Sequence, residues 1–362
     1  MPGATKLAAS TGAAQPVPGG RNAKRPRLSA LQGQETAIFL VGVALALYFA
    51  LASPYFATHD NLVTLTQYVA PIMFFATAEV FILILGEIDL SVGQVYVLTP
   101  FVVVYLADHG IGPVVGVIAS LIVSCVIGLI NGLMVVKVRV PSFIATLGTT
   151  FALEGLVLVG SNGTQLTPAG QGAFATVLGG AAWSEIIWAL ALLAVFYLLL
   201  RRTTFGLHII AAGGNEQAAT ESGIKVNYVK IWCFVLCSVM GGLMGILDGY
   251  KIGSLDPATD GLTFMFYGVA AAVLGGTALT GGRGTVIGSG FGAIVLGVLQ
   301  DGFHILNINA FAYDAILGLA ILAAMILNIS LERARSGRRR SGSLARALLR
   351  IRDPLGKAGA GA

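Results

Sequence analysis

The sequence predicts an all-α, polytopic integral membrane protein of about ten transmembrane helices, with the N- and C-termini in the cytoplasm. Of its 362 residues, 56% are hydrophobic and only 11% are charged, whereas soluble domains contain about 25% charged residues. The charges are also segregated, because stretches such as 37–53 and 114–136 contain no Asp, Glu, Lys or Arg. About 20 apolar residues suffice to cross the hydrocarbon core, so these stretches are predicted to span a lipid bilayer.

Apolar runs bounded by Gly, Pro or charged residues define the predicted spans and the domain limits. They give a transmembrane domain at 35–331, preceded by a basic, disordered tail at 1–34 and followed by a basic cytoplasmic tail at 332–362. The chain is predicted to turn between two helices near 86–93. The ten predicted spans are 36–54, 62–85, 91–107, 113–136, 141–160, 183–200, 227–250, 262–280, 285–306 and 311–330.

The distribution of Lys and Arg sets the predicted orientation, since cytoplasmic loops are enriched in these residues. With the N-terminus inside, 21 of the 22 basic residues fall in the two tails and at the inner connections, and Lys251 falls outside. The surplus of basic residues is therefore interpreted as a topological bias, and no nucleic-acid partner is predicted.

Two connections are longer than the others and differ in character. The outer connection, roughly 161–182, has no Lys or Arg and is rich in Gly, Thr and Gln. It is predicted to be an exposed extracytoplasmic loop. The inner connection, 201–226, begins with the segment RRTTFG, continues with an apolar patch at 207–212 and ends with a polar segment.

The polar segment of the inner connection has the signals of a short helix. Asn215 suits an N-cap, Glu216 favours the first turn, and Gly223 suits the stop after the last turn. Three small residues lie between them: Ala218, Ala219 and Ser222. The segment is predicted to form a short polar helix at the cytoplasmic face.

The segment Gly86–Gly93 places two carboxylates, Glu87 and Asp89, between apolar runs. Ionisable groups in or near a membrane are costly and are functional candidates by default. Alternatively, Asp89 caps the next helix through the amides of Ser91 and Val92, which is a structural role. Both interpretations remain open from the sequence.

A glycine-rich segment at 275–285 has the composition of a phosphate-binding loop but lacks its pattern. No GxxxxGK[ST] motif occurs in the chain. A tight turn between helices, closely packed through small residues, is the preferred interpretation. The glycines of this predicted turn are Gly275, Gly276, Gly281, Gly282 and Gly284. The chain is therefore not expected to hydrolyse ATP by itself.

No catalytic or metal-binding pattern is found in the sequence. The four histidines match no metal-ligand spacing, and the three cysteines, Cys125, Cys233 and Cys237, are interpreted as reduced packing residues. No nucleophile elbow or zinc-protease motif occurs. Several carboxylates within or near spans could serve a proton- or sodium-coupled carrier: Glu79, Glu154, Asp248, Asp301 and Asp314. The chain is predicted to be neither an enzyme nor a cofactor-binding protein.

Four segments, in order, resemble the permease subunits of ATP-binding-cassette importers for ribose, xylose, arabinose and related monosaccharides, within the branched-chain/ribose-type inner-membrane permease family. The first is similar to the family signature GGIDLSVG, with Glu87 in place of the second glycine. The second contains Asn131, Gly132, Pro141 and Thr146, the third includes 204–206 and 212–224, and the fourth is 275–288. The residues that carry the first two matches are Gly86, Asp89, Leu90, Ser91, Gly93, Asn131, Gly132, Pro141 and Thr146.

The resemblance implies a heteromeric importer in the cell membrane of a bacterium. Its expected parts are two copies of this permease, a cytoplasmic ATPase that binds the ATP, and an extracytoplasmic sugar-binding protein. The helix at 215–223 would then be the surface through which the ATPase acts on this chain. The loop at 161–168 is similar to that of xylose-type permeases, which favours a pentose such as xylose or ribose; purine nucleosides or an autoinducer sugar would fit the same scaffold.

Two other function classes compete with this interpretation. A secondary carrier coupled to protons or sodium would use intramembrane carboxylates such as Glu87 and Asp89, and broken helices in an inverted repeat would favour it. No internal repeat is visible in the sequence. A structural membrane protein is disfavoured by the glycine-dense connections.

Overall fold

The computed structural model describes residues 28–308 and, beyond them, residues 315, 316, 318, 319 and 322. This part of the chain is almost entirely helical. Single π-helical turns follow α4, at Met134–Val138, and α6, at Thr176–Gly180. The helices of the described residues are α1 Leu28–Ala52, α2 His59–Ile84, α3 Val92–Asp108, α4 Pro113–Leu133, α5 Ser142–Ser161, α6 Ala173–Ala175, α7 Ser184–Arg202, α8 Thr204–Gly214, α9 Glu216–Glu221, α10 Val226–Ile252, α11 Gly261–Leu274 and α12 Val286–Ile305.

Nine predicted spans coincide with these helices, but the predicted count of ten is not established. By length and composition, seven of the described helices could cross a membrane, and α3 and α11 are shorter, with 17 and 14 residues. The predicted span at 311–330 and the tail at 332–362 lie largely or wholly outside the described residues. The orientation of the termini remains a prediction.

Three local predictions differ from the structure. Helix α1 begins at Leu28, so the last residues of the predicted disordered tail are helical. The apolar patch of the inner connection is a separate helix, α8, whose N-cap Thr203 accepts a hydrogen bond from the Gly206 amide. The outer connection is only partly exposed, because a Cβ added at Gly179 would lie 2.1 Å from the Leu247 carbonyl oxygen of α10.

Two long helices, α2 and α10, are each followed by an irregular segment and a short helix. The first break comprises residues 85–91 between α2 and α3, and the second break comprises residues 253–260 between α10 and α11. Each break has a glycine at positive φ within its first two residues: Gly86 at 75° and Gly253 at 74°. Glycine adopts this conformation readily because it has no Cβ.

The short helices start next to each other, deep between the long ones. A Cβ added at Gly93, in the first turn of α3, would lie 2.2 Å from the Gly261 carbonyl oxygen at the start of α11. One added at Gly241, near the middle of α10, would lie 2.7 Å from the Val92 carbonyl oxygen. Only glycine permits such backbone contacts, so these positions bring the starts of α3 and α11 together beside the middle of α10.

The helices form two units in inverted arrangement. Helix α3 runs parallel to α10, since Val92 and Tyr96 of α3 meet Gly241 and Gly245 of α10. Likewise α11 packs along α2, and the third helix of each unit, α4 or α12, packs on the long helix of the other unit. This inverted repeat was not visible in the sequence.

Helix α2 forms the centre of the hydrophobic core, because every residue from Val69 to Ile84 is buried. The outer helices α4, α5 and α7 instead expose large apolar side chains, such as Ile118, Phe151 and Leu198. Such exposed faces suit contact with lipid or with another membrane helix.

Candidate functional site

The carboxylate of Asp89 lies at the centre of the first break and is fully buried. Its Oδ1 atom accepts hydrogen bonds from the Ser91 amide at 3.0 Å and from the Ser91 hydroxyl at 2.6 Å. Asp89 therefore caps the start of α3, which is the geometry of the structural interpretation.

A chain of side-chain hydrogen bonds continues from Asp89 into α4 and α5. The amide of Asn131 donates from Nδ2 to the Ser91 hydroxyl at 2.7 Å, and the Thr149 hydroxyl donates to Asn131 Oδ1 at 2.6 Å. Both Ser91 and Asn131 are fully buried. The chain connects the first break to two further helices, and buried polar side chains linked in this way specify one arrangement of the helices.

Side chains of α5 accept hydrogen bonds from backbone amides of the first break. The Leu90 amide donates to Thr146 Oγ1 at 3.1 Å, and the Ile88 amide donates to Ser142 Oγ at 3.3 Å. An unpaired amide would be costly at such a buried position. Pro141 directly precedes α5 and begins the helix that carries both hydroxyls.

The structure thus brings together the signature residues that the sequence singled out. Leu90 is buried in the core. Gly132 allows α4 to approach α10, since a Cβ there would lie 2.8 Å from the Ile231 Cα atom. The sequence indicated no separate role for Ser142 and Thr149, although Ser142, Thr146 and Thr149 are spaced to lie on one face of a helix.

A second buried carboxylate is that of Glu79 in α2. The sequence indicated it only as one of several carboxylates that could serve an ion-coupled carrier. Its Oε1 atom accepts a hydrogen bond from the Cys237 thiol at 3.6 Å, so this cysteine is more than a packing residue. Glu79 Oε2 and Asp89 Oδ2 are both buried without a hydrogen-bond partner among the described residues. Unsatisfied buried polar atoms are rare in folded proteins and call for an explanation.

The glycine-rich turn at 275–285 packs against the C-terminal ends of α2 and α8. The Gly282 amide donates to the Ile84 carbonyl oxygen at 2.7 Å, which satisfies an acceptor at the C-terminus of α2. A Cβ at Gly213 would lie 1.8 Å from the same oxygen. The glycines of this turn with positive φ are Gly276, Gly281 and Gly282. Gly275 and Gly284 instead pack closely, against Gly288 and against Ile84.

The short polar helix at the predicted cytoplasmic face is α9. Asn215 Oδ1 accepts from the Ala218 amide at 3.0 Å, and Gly223 adopts a positive φ of 85° just after the last turn. Helix α9 has six residues, which at 1.5 Å each span about 9 Å, far less than the ~30 Å hydrocarbon core. Ala218 and Ser222 are exposed, whereas Ala219 is buried against the rest of the chain.

An ion-pair cluster connects α9 to the first break. Lys230, in the first turns of α10, places Nζ 2.9 Å from Glu87 Oε1 and 3.0 Å from Glu216 Oε2. The side chains of Lys230 and Glu87 are only 13% and 16% exposed, while that of Glu216 is 56% exposed. Both carboxylates pair with one ammonium group, so Lys230 bridges the coupling candidate and the signature segment. The long sequence separation hid this arrangement.

Comparison with known proteins places the chain in a family. Residues 61–327 match the family described as the permease component of the branched-chain amino acid transport system. No solved structure matches the chain.

Curated relatives extend over most of the chain. A xylose/arabinose import permease of Sulfolobus acidocaldarius is 35% identical over 318 residues, covering 85% of this chain and 88% of the relative. A ribose import permease of Bacillus subtilis is 34% identical over 300 residues, covering 82% and 92%. An L-arabinose transporter permease of Azospirillum brasilense is 32% identical over 296 residues, covering 80% and 86%.

These matches confirm the predicted resemblance, the membrane location and the role of a transport subunit instead of an enzyme. The chain therefore belongs to the family of multi-pass membrane permeases of ATP-binding-cassette importers, which carry no nucleotide-binding domain of their own.

Proposed function

We propose that this chain forms the translocation path of an importer for a monosaccharide, and more narrowly for a pentose such as xylose or ribose. The sugar would be delivered by an extracytoplasmic binding protein, and a separate cytoplasmic ATPase would bind the ATP and power the cycle. Two copies of the chain would assemble, with exposed apolar faces of the outer helices available for that contact. The names of the relatives, which include import permeases for xylose/arabinose and ribose, support the sugar class.

The bridge that Lys230 makes between α9 and the first break is the observation that carries the proposal. An isolated six-residue helix is unstable in water, yet α9 is capped at both ends and connected by Lys230 to Glu87. Force applied to α9 by an ATPase would therefore reach the first break directly. From there the hydrogen-bond chain through Ser91 and Asn131 extends to α4 and α5.

Replacement of Ala218 by Trp tests the coupling role of α9. The exposed Ala218 side chain offers room on the outer surface, so the variant should insert and fold but should keep the ATPase from seating. We expect Ala218→Trp to abolish sugar-stimulated ATP hydrolysis and uptake, and Ala218→Ser to leave both unchanged. Ala219→Trp is unsuitable because Ala219 is buried and a large side chain there would disturb the fold. Normal transport by Ala218→Trp, with the ATPase still co-purifying, would contradict this coupling surface.

Transport of radiolabelled sugars by proteoliposomes that contain the complete complex tests the substrate class. We expect uptake that requires ATP, with a pentose preferred over hexoses. Absence of uptake for every monosaccharide tested, in a complex that hydrolyses ATP, would contradict the proposed substrate class.

An ion-coupled secondary carrier remains the second candidate, because the structure contains features typical of one. These are the inverted arrangement of the two units, the short helices that begin deep in the molecule, and the buried carboxylates of Glu79 and Asp89. Membership in the importer family argues against it. Sugar uptake driven by a proton or sodium gradient, by the permease without an ATPase, would support the carrier.

A further inference from the structure

A cavity of about 160 Å³ lies beneath the second break, between α3, α10 and the start of α11. One water needs roughly 10–15 Å³ of such space, whereas pockets for drug-sized ligands measure about 300–1,000 Å³. The cavity therefore suits a ligand larger than a few waters and smaller than a disaccharide. Six residues define its chemistry: Tyr96, Phe101, Asp248, Ser254, Thr259 and Phe264.

One wall of the cavity carries a connected set of buried polar side chains. The Tyr96 hydroxyl donates to Asp248 Oδ2, and the carboxyl group of Glu185 in α7 lies near that of Asp248. All three residues are buried, with exposed fractions of 5%, 8% and 2%. Carboxyl groups buried among apolar helices are costly, so their presence beside a cavity favours a role in contacting a polar ligand.

Aromatic rings also line the cavity. The rings of Tyr96 and Phe264 lie 5.6 Å apart, centre to centre, and Phe101 lines the same space. An aromatic face packs well against the C–H face of a sugar ring, while a carboxyl group and hydroxyls bond to the hydroxyls at its edge. A mostly apolar pocket with a few converging polar groups is the usual form of a small-molecule site.

The outer connection is bonded to one wall of the cavity. Leu166 and Leu255 exchange two backbone hydrogen bonds, at 3.0 and 2.8 Å, and Gln165 Nε2 donates to Asp256 Oδ2 at 2.9 Å. Leu255 and Asp256 belong to the second break and also line the cavity. Any partner that displaces the outer connection would therefore move one wall of the cavity.

We propose that this cavity is a binding subsite for one neutral sugar ring within the permease itself, with Asp248 and Tyr96 as its polar ligands and Phe264 as its packing surface. The proposal rests on the proposed import of a monosaccharide. Its added content is that the permease holds the sugar during transfer and contributes to selection, in addition to the binding protein.

Protection of an introduced thiol tests sugar binding directly. The complete complex with Ser254→Cys is reconstituted without ATP and treated from outside with an impermeant thiol reagent, and the wild-type chain reports the background of its three cysteines. We expect D-xylose, D-ribose or L-arabinose at millimolar concentration to slow modification several-fold, and sucrose to have no effect because it exceeds the cavity. Adding Asp248→Asn should raise the protecting concentration about tenfold, as for loss of one good polar contact.

Uptake kinetics provide a second test of the proposed subsite. Asp248→Asn and the milder Tyr96→Phe should raise KM for uptake, the former about tenfold, while co-purification with the ATPase shows that each variant is folded. Asp108→Asn is the matched control, since this exposed carboxylate lies on the same helix as Tyr96, and its KM should not change.

Two results would overturn the subsite while leaving the proposed function intact: no protection by any transported pentose, or unchanged KM in Asp248→Asn and Tyr96→Phe. Failure of the wild-type complex to take up any monosaccharide would instead remove the proposed function, and the subsite with it.

Discussion

The two breaks have similar geometry but different surroundings. Both follow a long helix, open with a glycine at positive φ and lead into a short helix. The first break is filled by hydrogen-bonded polar side chains, and Lys230 connects it to α9. The second break borders a cavity and is joined to the outer connection. The two units thus contain one break connected to the predicted cytoplasmic helix α9 and one connected to the predicted outer connection.

The two breaks also differ in the groups that accept hydrogen bonds from their backbone amides. In the first break, the amides of Ile88 and Leu90 depend on hydroxyls of α5, more than fifty residues away. In the second break, the Thr259 amide donates to the nearby Asp256 carbonyl oxygen and the Ala258 amide to the Asp256 side chain. The second break has one distant backbone partner as well, since the Leu255 amide donates to the Leu166 carbonyl oxygen of the outer connection at 2.8 Å. The first break therefore depends on α5, and the second break depends on the outer connection.

The largest expected effect concerns which side each break faces. Thr220→Cys in α9 and Ala258→Cys in the second break are both exposed positions. In intact cells, an impermeant thiol reagent should modify Ala258→Cys and should leave Thr220→Cys unmodified until the cells are opened. The excess of Lys and Arg at the inner connections is the physical basis of this orientation. Modification of Thr220→Cys from outside would reverse the assignment of the two breaks.

Removal of the cap in the first break should have the next largest effect. Asp89→Ala leaves the Ser91 amide and hydroxyl without their buried acceptor, at a cost of about 2 kcal/mol or more. We expect uptake to fall more than tenfold at equal membrane abundance, and Asp89→Asn, which keeps an accepting oxygen, to retain more. Asp108→Ala, at an exposed site, is the control. Near-normal uptake by Asp89→Ala would count against any special role for the first break.

A smaller effect is expected from the ion-pair cluster. Lys230→Gln leaves the partly buried Glu87 carboxylate unpaired, and it should lower sugar-stimulated ATP hydrolysis about fivefold, equivalent to about 1 kcal/mol. Glu216→Gln should cost less because Glu216 is more than half exposed. If Lys230 and Glu87 act as a pair, the double variant Lys230→Gln, Glu87→Gln should be more active than Lys230→Gln alone. Additive losses would show that the two residues act independently.

The smallest effect is expected where the second break meets the outer connection. Gln165→Ala removes an exposed hydrogen bond to Asp256 but leaves the two backbone bonds between Leu166 and Leu255. We expect a change in the uptake rate of about twofold or less, since exposed hydrogen bonds contribute little. A tenfold loss in this variant would mean that the second break depends on the outer connection as strongly as the first break depends on α5.

Features that arise from a short stretch of chain could be predicted. The apolar runs located nine helices, with ends within a few residues except at the start of α1 and the end of α11, because a membrane selects for continuous hydrophobic length. The caps of α9 were also readable, since Asn215 and Gly223 act through atoms three to four residues away. Helix α8 was missed because its eleven residues form too short an apolar segment to register as a span.

The sequence by itself therefore determined that the chain is a helical membrane protein, approximately where nine of its helices lie, and which motifs it shares with importer permeases. Tertiary structure decided how those motifs act together. It placed Lys230 between Glu87 and Glu216, joined Asn131 to Ser91, and set Tyr96 against Asp248 beside a cavity. The physical reason is that these polar contacts join different elements, with partners 14 to 152 residues apart, so a pattern read along a short stretch of chain does not show them. Hydrophobicity then identifies the helices, but only the close glycine contacts between α3, α10 and α11 determine which side chains meet.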